Sequence, residues 1–518
     1  MRGLVGVMLV IAVGAAVYLP GLGERGFGAS EGHRVVPAVE FAERDAWLLP
    51  TMFETVYIRK PPGMPIGIML SSEAFGWTEF AARFVSAAAV ILGGVVLAGF
   101  GMRWFGARFG WSAGLAYVLA PVVVATGRAA EIEALHNLFV LLSCALIVEL
   151  LVRRPGKGVD RAVLGGVALG AALLGMILTK GPAAVPTVLG TLLACAMIVR
   201  MWKALASPAV WIGIAIAGGV TAWLSLELAV QLEMRSEPHV KQSPLAFSFS
   251  AGKLFAIVAL PLAAFASHLP ASLAMLPLLG WQDLDDRDRV ARACARGWLL
   301  SILIFMAFGV SNNRYALPSV GLACLCVPWA LHATAHRFSG LRRLGSTLAV
   351  LGSPKIIFVL LLSAAFARNW LVERREAIKS GREPGIALAE ALMQATPLPI
   401  EVWADELIEA RPETLLYAER RADEDGRELR GFWSASWDDQ EFADGGPTLP
   451  AVSPGLARFV LLRRDESSEA GSELARFRGA GLTQRLMPVY DGGVYPDGER
   501  DGETQYRFPF TVFRVLPE

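Results

Sequence analysis

MRGLVGVMLVIAVGAAVYLPGLGERGFGASEGHRVV, residues 1–36, joins an apolar run with one charge, Arg2, to a short polar segment holding Glu31, His33 and Arg34. About 20 mainly apolar residues are enough to cross a bilayer as a helix, because a helix satisfies its own backbone polar groups. Met1 to Pro20 resembles a secretory signal, but no small-x-small cleavage site ends it cleanly and many further apolar runs follow. It reads as a retained first transmembrane helix. A carboxylate and two basic side chains then stand just past its exit.

The whole chain fits that reading. It has 518 residues, 54% of them hydrophobic and only 18% charged, with a mean hydropathy of +0.47. Soluble domains carry about a quarter charged residues, so the class is membrane-embedded. A formal net charge of +1 supplies no field for nucleic acid, and no basic run with interleaved aromatics occurs. The five cysteines, Cys144, Cys195, Cys294, Cys324 and Cys326, lie in or beside apolar runs without metal-ligand spacing. The polar C-terminal part has none, so disulfides do not staple it.

Apolar runs predict spans near 3–20, 82–102, 111–127, 134–152, 162–179, 182–200, 208–230, 253–280, 297–310, 315–335 and 350–368. These eleven put the two ends on opposite sides. Arg103 and Arg108, then Arg153, Arg154, Lys157 and Arg161, then Arg200 and Lys203, then Arg287, Arg289, Arg292 and Arg296, then Arg337, Arg342 and Arg343 fall on alternate loops. Short cytoplasmic loops collect such residues, so the N-terminus is expected inside. The expected fold class is mostly α: a polytopic membrane domain over 1–368, its first outer loop 21–81 carrying the active site, and an extracytoplasmic domain over 369–518. In that tail PIEVWA, ETLLYAE, ARFVLLRRD and FPFTVFRVLP read as short strands or short amphipathic helices, giving a small α/β or α+β domain.

The outer face gathers cations where the positive-inside bias disfavours them. Arg59 and Lys60 precede Pro61 and Pro62, which fix the backbone and place Lys60 at a rigid turn. Arg83 opens the second span, while Arg128, Lys180 and Arg314 each stand nearly alone in a tight outer turn. Each could be a snorkelling anchor; together they suit an anionic ligand. In GRAAEIEALHN, Glu131 and Glu133 follow Arg128, either as a local ion pair at the helix start or with one of them orienting a polar substrate or steadying a neighbouring cation. LTKGPAAVP and SNNRYALPS each put a basic residue at the end of a span before a backbone-opening proline motif, the second with Tyr315 beside Arg314.

The ordered set SEGHR, RKPPG, EFAARFVSA, LTKGP and NNRYALP resembles the membrane glycosyltransferases of the C-type fold (GT-C), in the branch of protein O-mannosyltransferases and lipid A aminoarabinose transferases. The resemblance covers roughly residues 1–340. It implies an inverting transfer of a sugar from a polyprenyl-phosphate carrier, such as undecaprenyl phosphate, to an acceptor lipid, glycan or protein of the cell envelope. It also implies an inner (plasma) membrane location with the tail extracytoplasmic (periplasmic). The family's usual first-loop pattern is Asp-Glu, with the Asp catalytic; here the pair reads Ser30-Glu31. Either Glu31 itself takes the acceptor's proton as general base, or the chain keeps binding without chemistry. The family's Lys-Pro-Pro matches Lys60, Pro61 and Pro62, with Arg59 where an acidic residue often stands.

Under this resemblance Lys60, Arg59, Arg83, Arg128, Lys180 and Arg314, with Tyr315, would hold the phosphate, and Glu131, Glu133, His33 and Arg34 would contact substrate. Carboxylates, carbonyls and water suit a divalent metal, but no ligand set singles one out, and His33 reads more simply as a polar contact. No other cofactor is implied. Loop 231–252, with Glu233, Arg235, Glu237, His239 and Lys241, reads as a lid or as a plain solvated connector. A lipid-carrier transporter would place charges at mid-bilayer and show inverted repeats; neither is visible. A non-catalytic carrier-binding or assembly protein is the other alternative, and Ser30 favours it.

Overall fold

The computed structural model describes residues 2–28, 30–44, 48–153, 159–199, 206–235, 239–240, 251–269, 271–280, 285–310, 312–337, 380–404, 408, 411–433, 455–463, 486–500 and 503–515. The chain divides into two compact units. One comprises Met1–Leu22, Arg83–Glu227 and Ser243–Leu371, and the other Gly23–Ala82, Leu228–Gln242 and Val372–Glu518.

The first unit is helical. Among the described residues five helices are long and apolar enough to cross a membrane: Glu79–Phe105, Ile132–Val152, Ala162–Val199, Pro208–Gln231 and Asp286–Ala307. Shorter apolar helices cover Gly3–Tyr18 and Leu317–Ala333. The run expected as one span over 111–127 is two helices, Ala107–Val118 and Pro121–Thr126, because Pro121 cannot donate to the preceding turn. The run over 253–280 bends by 118° between Ala259–Ser267 and Ala271–Leu279. The last expected span, 350–368, lies outside the described residues.

Small residues let these helices approach closely, as they do where lipid removes the hydrophobic drive for association. A Cβ on Gly190 would lie 2.6 Å from the backbone nitrogen of Ser301, so the helices Val185–Val199 and Asp286–Ala307 meet almost backbone to backbone. Gly175 similarly makes room for the ring of Phe139. Outward positions are apolar: Leu4, Leu164, Leu226 and Leu262 are each about 70% exposed. Such a surface suits a lipid solvent.

The second unit joins the first loop to the tail. Helix Gly32–Arg44 buries Val35, Val36, Ala38 and Phe41 on one side, while Ala42 and Glu43 face outward. Pro37 removes the amide that would bond the His33 carbonyl, and the Arg34 guanidinium donates to that carbonyl instead at 3.1 Å. Strands β1 (Thr51–Met52) and β2 (Thr55–Tyr57) form a tight hairpin with Phe53 and Glu54 at positive φ. Buried Glu40 accepts from the Thr51 hydroxyl and the Glu54 amide, bracing this turn, and its burial raises its pKa. Strand β3 (His239–Val240) adds parallel to β2. Those two residues, the helix end at Arg235 and the helix start at Ala251 are the described parts of the expected lid loop; Glu237 and Lys241 lie outside the described residues.

The tail is an α/β layer. Strands β4 (Ile400–Ala404), β5 (Leu429–Trp433), β6 (Ala457–Arg463), β7 (Leu486–Arg500) and β8 (Glu503–Val515) form one sheet in the order β5-β4-β6-β8-β7. The first three are parallel and β8 runs against β6. Alternation in IEVWA sends Ile400, Val402 and Ala404 inward, as period-2 patterning requires. ETLLYAE, by contrast, is helical, inside Pro412–Glu424, with Pro412 in the first turn.

Candidate functional site

Glu31 sits at the start of the helix that follows the loop 21–30 and is 1% exposed. Arg25 forks onto it, with Nη1 donating to Oε2 at 3.0 Å and Nη2 to Oε1 at 3.4 Å, and the Gly28 amide donates to Oε2 at 3.1 Å. This buried pair is strongly held: removing one member of such a pair typically costs about 3–5 kcal/mol. Arg25 carries no motif of its own; its only signal is being the basic residue just upstream of Glu31.

The tail adds groups with no sequence signal. Glu413, fully buried in the first turn of its helix, accepts from Arg411 Nη1 at 3.3 Å. Its Oε2 would lie 2.7 Å from a Cβ placed on Gly32, the residue after Glu31, so only glycine fits there. Burial pushes the Glu413 carboxyl up to about 8, Arg411 opposes this, and the Glu31 charge adds to the rise. Tyr417 accepts from the Phe27 amide and donates to Glu79, both at 2.7 Å, and Arg382 bonds the same Glu79 oxygen. Burial, and then the Glu79 charge, push the Tyr417 hydroxyl upward. Backbone bonds from Gly381 to Phe27 and a bridge between Gly28 and Ser380 complete the seam.

The other first-loop candidates lie in the same unit. The His33 ring stands 6.1 Å from Tyr57, and Arg59 lies over Trp433 at 5.9 Å. Lys60 is half-buried in the extended turn before the helix Gly63–Phe75, whose N-cap is Pro62. Its position at a rigid turn is the one expected from its two prolines.

In the helical unit, Glu133 is the centre. It is 5% exposed in the first turn of the helix Ile132–Val148. Its Oε1 accepts from both Lys180 Nζ at 3.2 Å and Arg314 Nη2 at 2.7 Å. Tyr315 lies 5.1 Å from Lys180 Nζ, ring face to cation. One carboxylate oxygen under two cations leaves a net charge of about +1 on the trio, the arrangement a phosphate oxygen would seek.

Arg83 and Arg128 are buried and donate to backbone carbonyls. Arg83 Nη1 donates to the Leu22 carbonyl at 3.0 Å, and Arg128 Nη1 to the carbonyls of Val17 at 3.3 Å and Tyr18 at 2.9 Å. Arg128 thus satisfies carbonyls that the end of the first helix leaves open, and Arg83 bonds the turn that follows it. The Glu131 carbonyl accepts from Ser86, and Glu131 occupies the N-cap position of the helix that carries Glu133. Among the described residues no group of three or more His, Cys, Asp or Glu is arranged to hold a metal ion.

Residues 59–225 match the model of the dolichyl-phosphate-mannose-protein mannosyltransferase family. ArnT from Cupriavidus metallidurans in the apo state superposes with a TM-score of 0.62 at 18% identity, covering 98% of this chain and 97% of that one. The chain has the ArnT fold, a GT-C fold. The undecaprenyl-phosphate-bound form of that ArnT gives a TM-score of 0.59, again at 18% identity, with 98% and 97% covered. In sequence, an undecaprenyl phosphate-alpha-4-amino-4-deoxy-L-arabinose arabinosyl transferase from Aeromonas salmonicida is 31% identical over 143 residues. Its counterpart in Aeromonas hydrophila is 30% identical over 144 residues. Either match spans about a quarter of the relative, 26% of its length, and 27% of this chain. The GT-C resemblance read from SEGHR, RKPPG, EFAARFVSA, LTKGP and NNRYALP over roughly residues 1–340 agrees with this fold.

Proposed function

We propose that this chain is an integral membrane glycosyltransferase that moves a sugar from a polyprenyl-phosphate donor to an envelope lipid, glycan or protein at the extracytoplasmic face. The observation that carries the reading is the Lys180–Glu133–Arg314 trio, two cations aimed at one oxyanion, on a fold shared with a protein solved with undecaprenyl phosphate. Lys180 and Arg314, with Tyr315, hold the carrier phosphate. Arg128 braces the end of the first helix, and Arg83 the turn after it.

In the reaction the acceptor hydroxyl attacks the anomeric carbon, the carbon–oxygen bond to phosphate breaks, and the phosphate leaves with that electron pair. Glu31 takes the hydroxyl proton, and one displacement inverts the configuration. Preorganised donors at a developing oxyanion contribute about 2.7–4 kcal/mol each in well-studied sites. A base must come within hydrogen-bond reach of its proton, so the longer Arg25 contact, 3.4 Å to Oε1, is the one exchanged for the acceptor.

A second reading, carrier binding without transfer, draws on the same fork, which occupies Glu31, and on Ser30. One experiment separates the two. Purified protein in liposomes, given undecaprenyl phosphate carrying a labelled sugar and an envelope extract, is expected to transfer label. Glu31→Gln abolishes transfer with undecaprenyl phosphate binding retained, and Arg314→Met weakens that binding about 10- to 100-fold, the worth of a charged hydrogen bond. Unchanged turnover in Glu31→Gln removes the base; wild-type binding without turnover across donors supports the second reading.

A further inference from the structure

The helix Ile132–Val148 carries more buried polarity than the phosphate reading uses. Glu133, His136 and Asn137 are 5%, 1% and 3% exposed. Their spacing of i, i+3 and i+4 puts all three on one side of the helix. His136 Nδ1 lies 3.2 Å from the Met176 carbonyl. A carbonyl only accepts, so Nδ1 carries the proton and Nε2 of the neutral ring presents a lone pair. His136 Nε2, Glu133 Oε2 and Asn137 Nδ2 are all buried with no hydrogen-bond partner among the described residues.

Native proteins rarely leave one such atom unsatisfied, since each costs about 1–3 kcal/mol. Three on a single helix side leave hydrogen-bonding capacity that a ligand can take up. The set offers two acceptors and one donor, and it begins on Glu133, whose other oxygen already faces Lys180 and Arg314. A sugar ring matches this chemistry, because each hydroxyl can give one hydrogen bond and receive others. Phosphate does not match it, since phosphate oxygens at neutral pH mainly accept and two of the three atoms accept as well.

We propose that Glu133 Oε2, His136 Nε2 and Asn137 Nδ2 form a subsite for the hydroxyl groups of the sugar carried on the donor phosphate. The proposal rests on the glycosyltransferase reading above and deepens it: Glu133 is shared, its Oε1 under the cations and its Oε2 turned to the sugar. His136 accepts from one hydroxyl and Asn137 donates to another. A site built to bond a hydroxyl strongly rejects an analogue that lacks it, because the buried groups are then stranded. Donor selection is therefore set on this helix.

The test measures direct binding of two lipids to the full chain in nanodiscs: undecaprenyl phosphate, and undecaprenyl phosphate esterified with 4-amino-4-deoxy-L-arabinose. Wild type is expected to bind the glycosylated lipid more tightly. Asn137→Leu and His136→Phe are each expected to cut its affinity about five- to tenfold while leaving undecaprenyl phosphate unchanged. Asn137→Leu also guards against a folding defect. If the amide served no ligand, an apolar residue of its shape would leave both affinities alone and raise the melting temperature, which overturns the proposal. Equal loss for both lipids overturns it too. Wild type binding the two lipids equally sinks the subsite alone; wild type binding neither sinks the glycosyltransferase reading with it.

Discussion

Glu413 makes the stability of the second unit depend on pH with a sign and size fixed by its burial. Its carboxyl has a pKa of about 8 in the fold against an ordinary 4.5. Between those values the folded protein holds a proton there that the unfolded chain has lost. Stability from this group is therefore fully present below about pH 4.5, falls by about 1.4 kcal/mol per pH unit, and is gone above about pH 8. At pH 7 the accumulated loss is about 3 kcal/mol. Glu413→Gln removes the titration, so its stability curve is flatter than wild type by that slope across the interval, whatever its absolute offset. Pulse proteolysis in urea, on the full chain in detergent from pH 5 to pH 8, reads the difference. Parallel wild-type and variant curves would mean that Glu413 is ionised in the fold, and the account of a neutral acid beside the Arg25–Glu31 pair would be refuted.

Two further outcomes test the packing. Tyr417→Phe strands the Phe27 amide and takes a donor from Glu79, and is expected to destabilise the second unit by about 1–3 kcal/mol in the same proteolysis assay. Gly190→Ala drives a methyl to within 2.6 Å of the Ser301 nitrogen; the backbones must part, at a cost of about 1–3 kcal/mol, which a lowered melting temperature of the detergent-solubilised protein would register.

The membrane class, several of the apolar helices and the bend at Lys60 were legible because they depend on local quantities: apolar run length and proline geometry. Lys180 and Arg314 stood out in the sequence because each is a lone basic residue at the end of an apolar run. Span continuity was harder to read. The break at Leu119–Pro121 and the 118° bend after Ser267 interrupt runs that remain apolar throughout, so hydropathy passes over them. In the tail, ETLLYAE has an apolar middle that suits either a strand or a helix, and packing made it helical.

By itself, then, the sequence determined the solvent each segment prefers and which charges stand where lipid disfavours them, since transfer free energy follows residue type and run length. Tertiary structure alone decided the pairings: Arg25 with Glu31, Glu133 beneath two cations, Glu413 against Gly32, and Tyr417 between Phe27 and Glu79. Those partners lie 6 to 390 residues apart. A buried charge must find a counter-charge or a hydrogen bond somewhere in the fold, but which residue provides it depends on how the helices and strands pack, a distance that no local pattern encodes.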